Sequence, residues 1–109
     1  DMQKMIHVLR CAIYDFARDF NKDPHNEYVT EKAAICKLFS IDTVKLVSDE
    51  MLEIFGGDGY FEDCPYGPTE RLYRDCRAMW LEEGAPCVQR ITIARECQNH
   101  GRKIEYTFD

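Results

Sequence analysis

From Thr30 to Phe55 the chain carries one continuous helical pattern, and this run constrains the fold more than any other feature. Apolar residues recur at helical spacing through Ala34, Leu38, Ile41, Val44, Val47, Met51 and Phe55. Ile35, Phe39, Leu46 and Ile54 fill the faces between them. A helix apolar on so much of its circumference suits packing on more than one side. Thr30 offers an N-cap oxygen and Glu31 a negative charge in the first turn. At the other end Gly56 and Gly57 supply a helix stop, because glycine adopts the left-handed conformation without steric cost.

The flanking segments carry helical patterns of their own. Met2, Met5, Ile6, Leu9, Ile13, Phe16 and Phe20 form one face of an amphipathic helix, followed by a polar, proline-containing loop from Asn21 to Val29. After the turn-rich stretch DGYFEDCPYGP, a third helix starts at Thr69 and runs through Leu72, Cys76, Met79 and Trp80, with Glu70–Arg74 and Arg71–Asp75 spaced as i,i+4 pairs. Gly84 interrupts it. Pro86 then opens a fourth helix that passes Val88, Ile91 and Ala94 to about His100, with Gly101 as its stop. The tail, residues 102–109, has no assignable pattern beyond a possible strand. These readings predict an all-α, antiparallel helical bundle in one domain or a piece of one.

Charge narrows the partners. With a formal net charge of -6, the chain lacks the clustered cations that neutralise a polyphosphate, and Arg71, Arg74 and Arg77 are interleaved with Glu70 and Asp75. Nucleic acid is therefore not an expected partner. Nor is a membrane, since no apolar run approaches the roughly 20 residues that span a bilayer. The opening DMQKMIHVLR does not resemble a signal peptide, and the expectation is a soluble, cytoplasmic protein. Cysteines at 11, 36, 64, 76, 87 and 97 show no CxxC and no close pair of histidine ligands, so reduced thiols are expected and no metal site.

Two motifs carry possible chemistry. GGDGY follows a helix, whereas a dinucleotide fingerprint follows a strand, so on its own it reads as a helix cap and turn. WLEEGAP sets two adjacent carboxylates against a glycine break. Neighbouring helical positions point in different directions, so Glu82 and Glu83 do not form a glycosidase-type pair. Either both are solvated at a helix end, or one faces inward.

Taken in order, the run from EKAAICKLF to FGGDGYFED and the run TERLYRDCRAMWLEEGAPCVQRITIAR resemble the C-terminal helical, FAD-binding domain of the acyl-CoA dehydrogenase family. The matching elements are Lys37, Gly56 to Tyr60, Pro68, Arg74 with Asp75, Glu83 with Gly84, and Gln89 with Arg90, and the interval from Arg74 to Arg90 matches without a gap. The resemblance implies a flavoprotein that oxidises an acyl-CoA thioester to its 2-enoyl form. It makes Glu83 the base that removes the α proton, a role that burial and the neighbouring Glu82 would favour by raising the pKa of the carboxyl group. By the same resemblance Glu53, Gly56, Gly57, Gly84 and Ala85 lie at FAD, the glycine pair reaching toward the cofactor of a neighbouring subunit in a homo-oligomer. Electron-transfer flavoprotein is the implied redox partner, and the mitochondrial matrix the implied location in a eukaryote.

Departures from the family pattern bear on the cofactor. Glu53 stands where the family has glutamine, Ala85 where it has a flavin-bonding threonine, and Glu82 where an aromatic is common. These substitutions leave open a second reading, a non-catalytic helical oligomerisation module derived from the same fold. A third keeps the flavin but performs oxidase or monooxygenase chemistry. Residues 1–109 are expected to form a single partial domain, a piece of a longer polypeptide that is inactive by itself.

Overall fold

The structure, a computed structural model, describes residues 1–101 and consists of four helices joined by short connections. They are α1 (Met2–Lys22), α2 (Val29–Tyr60), α3 (Thr69–Met79) and α4 (Pro86–Asn99). The expected all-α bundle is thus observed. The possible strand in residues 102–109 falls outside the described residues.

Helix α2 is the hub: α1, α3 and α4 each pack on it, and among the described residues none of these three packs on another. That arrangement explains the wide apolar surface of α2, which meets neighbours around much of its circumference. Its fully buried positions carry small or polar side chains as well as Val29 and Ile41: Ala34, Thr43 and Ser48 let the neighbouring helices approach closely. Thr43 and Ser48 satisfy their hydroxyls by donating back to the carbonyls of Phe39 (2.8 Å) and Lys45 (3.1 Å).

Helix α1 runs antiparallel to α2. The Lys32 ammonium at the start of α2 donates to Asp15 (2.6 Å) and to Asp19, both in the second half of α1. Early in α1, Ile6 and Leu9 instead share an apolar groove with Val44, Val47 and Met51 of α2. No residue of α1 is fully buried, because one face of the helix is all that α2 covers.

Helices α3 and α4 together form a second, interrupted rod running antiparallel to α2. At its start Thr69 bonds to Gly59, its middle places Trp80 beside Lys45 and Met79 beside Lys37, and its end brings Cys97 to Glu31 and His100 to Tyr28. The i,i+4 pairs of α3 are present, Arg74 with Glu70 and Arg71 with Asp75.

Two boundaries differ from the sequence reading. Helix α2 starts at Val29 with Tyr28 as N-cap and no side-chain cap, so Thr30 lies inside the helix and Glu31 is buried. At the other end Gly56 does adopt a positive φ of 56°, yet the helix kinks there and resumes to Tyr60. The segment after Gly56 stays helical because Gly59 is buried and its hydrogen-bonded carbonyl anchors that last turn to α3.

Candidate active site

The break in the α3–α4 rod is built by local backbone chemistry. After Met79 the chain tightens into turns, with the amides of Leu81 and Glu82 donating to the Ala78 carbonyl at 3.0 and 3.2 Å. Glu83 then takes a positive φ of 47°, and among the described residues it is the one non-glycine residue to do so. Gly84 follows at φ 107°, a conformation open to glycine and strained for other residues. Ala85 is extended and caps α4, its carbonyl accepting from the amides of Val88 (2.9 Å) and Gln89 (3.2 Å), while Pro86 fits the first turn where no amide donor is needed.

Glu83 thereby lines a cleft of about 450 Å³ with Phe16 and Phe20 of α1, Thr30 and Lys37 of α2, and Gln89 of α4. Glu82 does not line it. Two long side chains brace the rim. The Lys37 ammonium donates to the Met79 carbonyl at 3.4 Å, and the Gln89 amide to the Gly84 carbonyl at 3.4 Å. Gln89 also occupies the space that a Cβ on Gly84 would need. One expectation is corrected here. Glu83 is exposed rather than buried, because the cleft is open and the turn projects from between two helices.

Gly56 and Gly57 lie elsewhere. Both are exposed, and a Cβ at either would meet nothing within 4 Å. The exposed Glu53 sits one helical turn before them. From Lys37, at the cleft, to Gly56 is nineteen residues of α2, roughly 29 Å at 1.5 Å per residue. Within one chain, Glu83, Gly84 and Ala85 therefore form one group and Glu53, Gly56 and Gly57 another, at opposite ends of the same helix.

A third constellation went unread in the sequence. Trp80 carries two cations over its ring, the Lys45 ammonium 4.4 Å from its centroid and the Arg77 guanidinium at 4.2 Å. The spacing of Arg77 and Trp80, three residues apart on one helix, was the available signal. Cys36 is half-buried at the α1–α2 interface, and burial pushes its thiol pKa up. All six cysteines are free thiols.

Residues 1–98 match the family model described as the acyl-CoA dehydrogenase C-terminal domain. Among curated proteins, the chain is 34% identical over 96 residues to a cyclohexane-1-carbonyl-CoA dehydrogenase of Geobacter metallireducens, covering 88% of the chain and 24% of that protein. Against an isobutyryl-CoA dehydrogenase of Dictyostelium discoideum the identity is 38% over 98 residues, covering 88% of the chain and 22% of that protein. It is also 37% identical over 67 residues to an acryloyl-CoA reductase (NADH) of Anaerotignum propionicum, 62% of the chain and 16% of that protein. The chain thus spans about a quarter of the length of the first two relatives. No solved structure gives a significant match.

Proposed function

The chain belongs to the acyl-CoA dehydrogenase family, and from that premise we propose that it forms the C-terminal part of an FAD-dependent enzyme that desaturates an acyl-CoA thioester to the 2-enoyl-CoA. The observation that carries this reading is Glu83, held in left-handed backbone at a helix break and facing an open cleft. A carboxylate presented to the cleft in this way is the group to accept the proton on the carbon α to the thioester carbonyl, since a general base must come within hydrogen-bond reach of the proton it takes. When bound, FAD supplies the acceptor for the hydride leaving the β carbon.

The residues present fit FAD at the glycine pair. Gly56 and Gly57 expose backbone with no atom above it, which permits the close approach a pyrophosphate requires. Glu53 brings a negative charge to the same end and lowers the affinity there. At the other group, Gly84 and Ala85 offer backbone alone, because Ala85 lacks a hydroxyl and its carbonyl is already used by α4. Since the two groups stand roughly 29 Å apart along α2, the reading includes a homo-oligomer. In it the glycine pair of one subunit serves the cofactor beside Glu83 of another. Electron-transfer flavoprotein as oxidant, acyl-CoA as substrate and a matrix location in a eukaryote follow from the same reading.

The test uses the full-length polypeptide. Glu83→Gln keeps shape and polarity but cannot accept the proton, so the bound flavin spectrum persists while flavin reduction by acyl-CoA falls by roughly 10²–10⁴-fold. Glu82→Gln, outside the cleft, changes the rate little. A fully active Glu83→Gln enzyme removes the assignment. A colourless full-length protein favours the non-catalytic oligomerisation module, which the substitutions at Glu53 and Ala85 permit.

A further inference from the structure

Glu83 is not fixed by its own contacts. It stands on a turn with two consecutive positive-φ residues, exposed, between helices that do not pack on each other. Something else must hold such a turn in one place, because a base displaced by about 1 Å loses roughly 10²-fold in rate.

Two side chains meet that need from opposite ends. Lys37 reaches from α2 across to the last carbonyl of α3, Met79, and so fixes the point where the rod breaks. A cation at a helix C-terminus also complements the partial negative charge of its unpaired carbonyls. Gln89, in the first turns of α4, donates to the Gly84 carbonyl and lays its amide over the Gly84 Cα. The hydrogen bond and the place of the amide tie α4 to the residue next to Glu83, which stands at φ 107°. Both braces line the cleft that Glu83 lines.

We infer that Lys37 and Gln89 are positioning residues for the Glu83 carboxylate, clamping its turn from the α2 and α4 sides. The inference rests on the reading of Glu83 as the base. Neither residue is assigned contact with the reacting carbons, so their loss shows in the chemical step and not in substrate binding.

The experiment uses the full-length flavoprotein carrying Gln89→Met, Lys37→Met or Lys37→Arg, with Glu83→Gln alongside. Gln89→Met keeps volume and removes the donor, and it carries the test if Lys37→Met does not fold. The clamp predicts that amide hydrogen exchange at residues 81–84 accelerates roughly tenfold in the two Met variants. It also predicts that kcat falls about tenfold while KM stays within about twofold. Lys37→Arg, which keeps a donor and a charge of similar reach, restores both readouts. Unchanged exchange in Gln89→Met overturns the clamp. So does faster exchange with an unchanged kcat, since the turn would then be held without consequence for the base. Full activity in Glu83→Gln is the separate result that sinks the reading of Glu83, and the positioning role falls with it.

Discussion

The Thr69 hydroxyl donates a 2.9 Å hydrogen bond to the carbonyl of Gly59, joining the first residue of α3 to the last turn of α2 with both partners buried. That bond closes the connection between the two helices and sets the start of the rod whose break carries Glu83. Stacking of Tyr66 on Phe55, 5.3 Å between centroids, supports the same corner. Thr69→Val keeps the shape but leaves the Gly59 carbonyl buried without its donor, at a cost of about 1–3 kcal/mol in denaturant unfolding. Two nearby glycines should respond with opposite signs. At Gly59 a Cβ would lie 2.9 Å from the Phe55 Cβ, so Gly59→Ala destabilises by roughly 1–3 kcal/mol. Gly57 has open space and no positive φ, so Gly57→Ala stabilises by about 0.5–1 kcal/mol through helix propensity. Equal effects at both positions would contradict the packing described.

Lys32 gives the α1–α2 contact a pH dependence. Its hydrogen bonds hold the carboxyl groups of Asp15 and Asp19 below the usual aspartate pKa, with a smaller contribution from Arg18, and the two carboxylates push the Lys32 pKa above its usual value. Depressed carboxyl pKa values add stability above the unfolded value of about 3.9, and that stability is lost as pH falls through the folded values. The raised lysine adds stability below about pH 10.4, lost only as pH climbs past its folded value. Between these limits the contribution is flat. Lys32→Met therefore lowers the melting temperature at neutral pH, where Asp15 and Asp19 are left facing each other, and shrinks the drop on acidification from about pH 5 to pH 2. Parallel melting curves for wild type and variant across that range would refute the network.

The helices were legible where periodicity and breaker residues agree: Met2 to Phe20, the start at Thr69, and the run from Pro86 to Gly101 all stand close to the observed elements. Helix α2 shows where local rules yield. Thr30 has capping chemistry, but packing of Val29 and Glu31 into the interface draws the helix start forward past it. Gly56 breaks the geometry as its residue type suggests, yet the tie between Gly59 and Thr69 keeps the following turn helical. The order of motifs made Glu83 readable as a candidate. Lys37 and Gln89 were legible as matching elements but their contacts were not, because Lys37 reaches a carbonyl 42 residues on and the Gln89–Gly84 bond depends on how the break between α3 and α4 turns. The exposure of Glu83 was equally hidden, since burial is set by which surfaces close over the cleft.

The apolar groove between α1 and α3 should make the chain associate on its own. Ile6, Leu9, Val47, Met51 and Leu72 line about 350 Å³ of it, and no described helix covers them. Uncovered apolar surface of this kind drives self-association. Sedimentation of the 109-residue chain at micromolar concentration should show species heavier than 12.8 kDa, and Leu72→Glu together with Ile6→Glu should shift the distribution toward that mass. A sharp monomer peak for the unmodified chain would contradict this.

Glu83 itself carries a backbone cost that separates stability from activity. A non-glycine residue at φ 47° pays on the order of 1 kcal/mol for the left-handed conformation, and such strain persists only where the surroundings impose it. Asparagine tolerates that region better than glutamate, and valine worse, since its branched Cβ crowds the backbone. Glu83→Asn should therefore raise the stability of the full-length protein by a few tenths to about 1 kcal/mol, and Glu83→Val lower it by more. Both lose the carboxylate at its proper reach, so on the reading of Glu83 as the base both should lose flavin reduction by acyl-CoA. The Asn variant is the informative one, being more stable and inactive at once. That combination is the signature of strain kept for function. A Glu83→Asn protein that is less stable than wild type would mean that the turn imposes no strain on the glutamate, and the backbone argument for its functional role would fail.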